Sequence, residues 1–166
     1  WIEHTASLAG IAGCNPFAKA FAMGQRPRDA RMAVIIDDIG YSRRQAAAFM
    51  GIGANLTYGV LPHLPQSAAL ACAIHDKGHE ILLHQPMEPF DRQLDPGPGA
   101  LYVGDSAAQI EKVVGTNIRA VPFVSGVNNH MGSAATSDPG LMADLMAVLA
   151  ERGLFFVDSV TSSRSV

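Results

Sequence analysis

The chain has 166 residues, 48% of them hydrophobic and 16% charged, and its twelve basic and fifteen acidic side chains leave a net charge of −3. That length suits one compact domain with a sizeable core, and that composition excludes an intrinsically disordered chain. The densest basic stretches, Arg26 to Arg31 and Arg43-Arg44, fall short of the continuous footprint that a phosphate backbone requires, which argues against nucleic acid as a partner.

Residues 1–31 show no sustained periodicity and end in a charged run broken by Pro27, so they read as an N-terminal extension or linker ahead of a domain over 32–166. Within them Ile11-Ala12-Gly13-Cys14 looks like a lipoprotein cleavage site. However, Glu3 and His4 interrupt the apolar stretch before it and no basic region leads into it, so it is not read as a leader. Trp1 in place of Met leaves room for a start that was removed. Cys14 and Cys72 are too few for a disulfide framework or a cysteine zinc knuckle, and Cys72, among alanines, reads as a small buried hydrophobe. No apolar run approaches the ~20 residues of a membrane span.

From Met32 onward five short apolar runs are bounded by Gly, Pro, Asn or Asp: Met32–Ile36, Leu56–Leu61, Glu80–Leu83, Ala120–Val124 and Leu154–Val157. Each is too short for a typical helix, and several are apolar on both faces, which predicts strands of a covered parallel sheet. Four helical segments lie between them. Ser42 with Gln45 and Ser106 with Gln109 have capping-box spacing. Leu70, Ala73 and Ile74 form a stripe that stops at Gly78, and Asp138-Pro139 opens a helix whose predicted buried face is Leu141, Leu145, Met146 and Leu149. The order βαβαβαβαβ predicts right-handed crossovers and one parallel sheet.

In such folds ligands gather at the carboxyl ends of the strands. Reading the ends in order gives Asp37-Asp38, His63, His84 with Glu88, Asn128-Asn129-His130, and Asp158. Adjacent strand residues point to opposite sides, so one carboxylate of Asp37-Asp38 could ligate a cation while the other takes a proton. An Asp-Asp-Ile-Gly turn is the plainer alternative. His84 and His130 stand on strand ends, where an imidazole makes a good zinc ligand because little side-chain freedom is lost on binding. A satisfied core histidine and an Asn-Gly turn compete with that reading. The amides beside His130 could orient its ring or a substrate, and His63 could line a cleft; His63, Glu88 and Asn129 are the candidates for substrate contact. His75 and His79 are four apart, but Gly78 at a helix end separates them, and they read as solvent-facing. No Gly-rich phosphate loop follows the first strand, which disfavours a phosphate-binding α/β protein.

Six segments in order then resemble the divergent polysaccharide deacetylases, a branch of the carbohydrate esterases that remove acetyl groups from N-acetylated sugars. They are Ala33-Val-Ile-Ile-Asp-Asp-Ile-Gly-Tyr41, Val60-Leu-Pro-His63, Gly78-His-Glu-Ile-Leu-Leu-His-Gln-Pro-Met-Glu-Pro89, Gly97-Pro-Gly-Ala-Leu101, Gly126-Val-Asn-Asn-His-Met-Gly-Ser133 and Gly153-Leu-Phe-Phe-Val-Asp-Ser159. The resemblance implies a distorted (β/α) barrel, incomplete here because relatives continue through further βα units beyond the five strands counted. It implies Asp37 as catalytic base and Asp38 as a ligand of a divalent metal, most simply zinc; Asp158, or a histidine that relatives carry on a later strand end, is the candidate acid. The superfamily's second histidine, four residues after the first, is Glu88 here; the resemblance implies His130 as the third ligand, with Glu88 as an outside candidate. The implied substrate is an N-acetylated cell-envelope polysaccharide, and the implied location is periplasmic or otherwise extracytoplasmic. The missing histidine keeps open a non-catalytic member that binds glycan or a protein partner.

Overall fold

The structure, a computed structural model, describes residues 32–166; the expected extension over 1–31, with Cys14 and His4, lies outside the described residues. Five strands alternate with four helices, and a short 3-10 turn at Ala135–Ser137 precedes the last helix. The strands are β1 (Ile35–Ile39), β2 (Thr57–Val60), β3 (Glu80–Met87), β4 (Val124–Met131) and β5 (Phe155–Val157). The helices are α1 (Arg43–Met50), α2 (Ser67–Asp76), α3 (Ala107–Ala120) and α4 (Pro139–Glu151). All strand pairs are parallel, and the sheet order is β1-β2-β3-β4-β5. This is the α/β architecture that the alternation predicts, and the sheet is open rather than closed.

Because the sheet always advances in one direction, right-handed crossovers place every helix on the same face. Tyr58, Val60, Ile81, Leu83, Met87 and Val127 of the sheet accordingly share one core with Ala46 of α1, Ile74 of α2, Val114 of α3 and Leu145 of α4. The opposite face carries Asp37, Gly59, His84 and Asn128. Strands spaced ~4.8 Å apart would set β1 and β4 ~14 Å apart in a flat sheet. Yet Asn128 Nδ2 on β4 donates to Asp37 Oδ1 on β1 at 2.8 Å. Only a strongly curved sheet brings those short side chains together, with the helix-free face concave.

The helix ends follow the expected chemistry. Ser106 and Gln109 form a full capping box, Ser42 accepts from the Gln45 backbone N–H, and Asp138 accepts from that of Leu141 ahead of Pro139. Four expectations are corrected. Ala120 ends α3 and Val121 to Phe123 form a turn, so β4 begins only at Val124 and runs through the polar Asn128-Asn129-His130. Val121 is apolar because it closes the core, at 0% exposure, not because it is a strand residue. β3 likewise continues past Leu83 to Met87, carrying Pro86 after β2 has ended at Val60, where no neighbour needs the missing N–H. Cys72 is exposed, and Met146 stands outside the buried face of α4, where Val148 and Met142 are buried instead.

Candidate metal centre

The strand ends meet on the concave face, and β1 supplies two adjacent carboxylates. Between Ile36, paired with Tyr58, and Ile39, paired with Val60, β1 carries one extra residue, a β-bulge. Asp38 sits there with φ 60°, the left-handed conformation that aspartate tolerates better than most side chains. The bulge overrides strict alternation. Instead of pointing to opposite faces, Asp37 and Asp38 address the same imidazole from its two sides.

That imidazole is His84, buried to 4% side-chain exposure. Its Nε2 lies 3.3 Å from Asp38 Oδ1 and 3.2 Å from His130 Nδ1, and His130 Nδ1 lies 3.0 Å from Asp38 Oδ1. Three atoms able to offer lone pairs thus converge, one each from β1, β3 and β4. In a tetrahedral zinc site with bonds of ~2.0–2.1 Å, adjacent ligand atoms lie ~3.3–3.4 Å apart, close to what the chain presents. The donor chemistry also fits a cation. One carboxylate oxygen and two imidazole nitrogens, each able to present a lone pair, meet at one point. Asp38 is the exposed corner, with 61% of its side chain accessible, so the site opens to solvent there.

The two imidazoles beside it, His84 foremost, hold the Asp38 carboxyl below its usual range against the opposing effect of its partial burial. Burial pushes the His130 imidazole down, and His84 adds to the effect, against the opposing pull of Asp38. Both shifts favour the deprotonated forms that ligate metals.

On its other side His84 Nδ1 lies 3.0 Å from Asn128 Oδ1 and 3.5 Å from Asp37 Oδ1. Gly59 makes this packing possible, since a Cβ there would collide with Asp37 Oδ1 and come within 3.2 Å of Asn128 Oδ1. Met131 and Gly132 follow His130 with φ 54° and 87° and turn the chain away from the site.

The remaining candidates lie elsewhere. His63 Nε2 bonds Asn117 Oδ1 at 2.8 Å, joining a buried network in which Asn117 Nδ2 also donates to Gln85 Oε1 and Gly99 O. With Tyr102, Asp105 and Lys112, His63 lines a separate cavity beside α3. Glu88 Oε2 accepts from Val103 N at 2.7 Å and its carbonyl caps Ala134 and Ala135, so it ties two loops to the end of β3. Asn129 is buried; its Oδ1 accepts from Ser159 N and its Nδ2 donates to Met131 O. Asp158 accepts from Val160 N and Ser165 Oγ and faces a cavity lined by Met142 and Met146 of α4. His75 stacks on Phe123, and His79 packs against Tyr58. Sequence reasoning missed Gly59, Gln85 and Asn117. The one available signal was Asn117 itself, a polar residue on the stripe Ile110, Val114, Asn117 of α3.

The sequence profile of the divergent polysaccharide deacetylase family matches residues 34–166, all five strands included. An uncharacterized protein of Haemophilus influenzae is 40% identical over 136 residues, 82% of this chain and 48% of that one. The uncharacterized protein YibQ of Escherichia coli is 33% identical over 145 residues, 87% of this chain and 45% of its own length. The chain therefore spans about half the length of the curated relatives it matches. The crystal structure of the uncharacterized protein ATU2773 from Agrobacterium tumefaciens C58 superposes with a TM-score of 0.74 at 25% identity, over 80% of this chain and 55% of that one. With the profile covering both the sheet and the three residues at its concave edge, the chain belongs to the divergent polysaccharide deacetylase family.

Proposed function

We propose that residues 32–166 carry the metal centre of a hydrolase that removes acetyl groups from N-acetylated sugars of a cell-envelope polysaccharide, with residues 1–31 an extension to that domain. The observation that carries this reading is the approach of Asp38 Oδ1, His84 Nε2 and His130 Nδ1 to within 3.0–3.3 Å of one another. These three would hold a divalent cation, and one carboxylate with two imidazoles is a donor set suited to zinc. Such an ion supplies Lewis acidity for a water and for the acetamide carbonyl. The chain's own part is acid–base and positional. Asp37 Oδ1 is held by Asn128, and Oδ2, which has no partner among the described residues, accepts the proton of the attacking water. His84, buried and held on both sides, keeps its ring in place, while the exposed edge at Asp38 admits the substrate. Envelope glycans lie outside the cytoplasm, which is where such an enzyme would work.

A second reading, a glycan- or partner-binding member without turnover, is favoured by the state of the other two carboxylates. Glu88 and Asp158 are both engaged by N–H or O–H groups of the chain, leaving neither free to protonate a departing amine. Acetate release from chitooligosaccharides and peptidoglycan fragments, assayed with zinc, cobalt or manganese, separates the two. Release that His84→Ala abolishes supports the hydrolase. Retention on peptidoglycan with no acetate under any metal supports the binder.

A further inference from the structure

Among the described residues, the Asn128 amide is the one polar group outside the metal-facing trio that hydrogen-bonds both Asp37 and His84. Its orientation is dictated by charge. Asp37 Oδ1, 2.8 Å from Asn128 Nδ2, can only accept, so the NH2 group must face it. The amide oxygen then faces His84 Nδ1 at 3.0 Å and, being an acceptor only, calls for an N–H there to donate to it. Asp37 Oδ1, 3.5 Å from the same nitrogen, is a second acceptor on that side. A lone pair on Nδ1 would oppose both oxygens, and flipping the amide would oppose its oxygen to the carboxylate.

We infer that Asn128 is a positioning residue that locks His84 in the Nδ1–H tautomer, so that the Nε2 lone pair is committed to the Asp38–His130 side before any cation arrives. Its consequence for affinity rests on the metal-centre reading above, whereas the tautomer is a property of the metal-free chain. The bridge does two things at once. It spares His84 the choice between donating to Asp38 and ligating, and it ties Asp37 to the same ring. Gly59 serves the same end by leaving the space in which Asp37 and Asn128 meet. A histidine ligand held through its other nitrogen is oriented and made more basic, and loss of such an outer partner typically weakens metal binding ~10–100-fold.

The test is long-range proton–nitrogen NMR of the metal-free chain with 15N-labelled histidine at a pH of about 8, well above the ordinary imidazole value, paired with zinc affinity by chelator competition. Wild type is expected to show His84 protonated on Nδ1. Asn128→Leu, similar in shape but without either hydrogen bond, is expected to mix the tautomers and bind zinc ~10–100-fold more weakly. Asn128→Asp, which keeps the acceptor, should retain the Nδ1–H tautomer even as its charge pushes Asp37 away. An Nε2–H signal for His84 in wild type or in Asn128→Asp overturns the inference. So does a folded Asn128→Leu with wild-type tautomer and zinc affinity. Should Asn128→Leu not fold, wild type and Asn128→Asp decide. Failure of wild type to bind zinc would defeat the metal reading and leave the tautomer result standing by itself.

Discussion

At the scale of single residues, the candidate centre depends on three side-chain atoms, one each from Asp38, His84 and His130. Asp38 Oδ1, His84 Nε2 and His130 Nδ1 lie within 3.3 Å of one another, close to the spacing of adjacent ligands in a tetrahedral zinc site. Asp38→Ala, His84→Ala or His130→Ala should each weaken zinc binding by more than the ~10–100-fold expected for an outer partner, which isothermal titration or chelator competition reads. Gly59→Ala should damage the same centre without touching a ligand, because its new Cβ displaces Asp37 and crowds Asn128. The pH response of the metal-free chain follows from two lowered pKa values. Relative to ordinary values of 6.5 for His130 and 3.8 for Asp38, the folded state binds each proton less readily than the unfolded chain does. Each group therefore contributes stability that is present above its unfolded value and lost as pH falls through the folded one. Melting temperature should hold above about pH 6.5 and decline below it, first through His130 and then, below about 3.8, through Asp38. His130→Gln should flatten the upper part of that decline.

At the scale of elements, the helices were legible because their signals are local. Ser106, Gln109, Asp138 and Pro139 act within one turn, and the caps form where spacing places them. Asp138→Ala should destabilise the chain by about 1 kcal/mol, a shift of roughly 2–4 °C in melting temperature for a domain of this size. Leu145→Ala, in the middle of the core, should cost about 2–5 kcal/mol. The strands were legible only where they were apolar. The apolar run stops at Val124, so Asn128, Asn129 and His130 read as lying at a strand's end, with an Asn-Gly turn as the alternative, whereas they are the last residues of β4 itself. The bulge in β1 left no trace in sequence either. It depends on how β1 and β2 pair, and two consecutive aspartates are equally compatible with a plain turn.

At the scale of the whole molecule, the candidate centre rests on curvature. A singly wound sheet puts its helices on one side and leaves the other free, and bending toward that free side brings β1 within reach of β4. A ligand that bridges β1, β3 and β4 binds the folded chain and not the unfolded one. Zinc at 100 times its dissociation constant should therefore stabilise the protein by about 2.7 kcal/mol, and a chelator should reverse the gain. Differential scanning calorimetry with and without metal measures it. A melting temperature indifferent to zinc, cobalt and manganese alike would count against a metal at this centre.

Hydrophobic rhythm, caps and the order of short apolar runs are local properties, so the chain alone determined an α/β fold with five parallel strands and named the side chains at their ends. Which of those side chains meet was decided only by the bent sheet. Asp38, His84 and His130 converge, while His63, Glu88, Asn129 and Asp158 bond elsewhere. The physical reason is that a contact between residues 91 positions apart, such as Asp37 with Asn128, depends on strand register, a bulge and a glycine's missing Cβ acting together. None of these is a property of any single stretch of sequence.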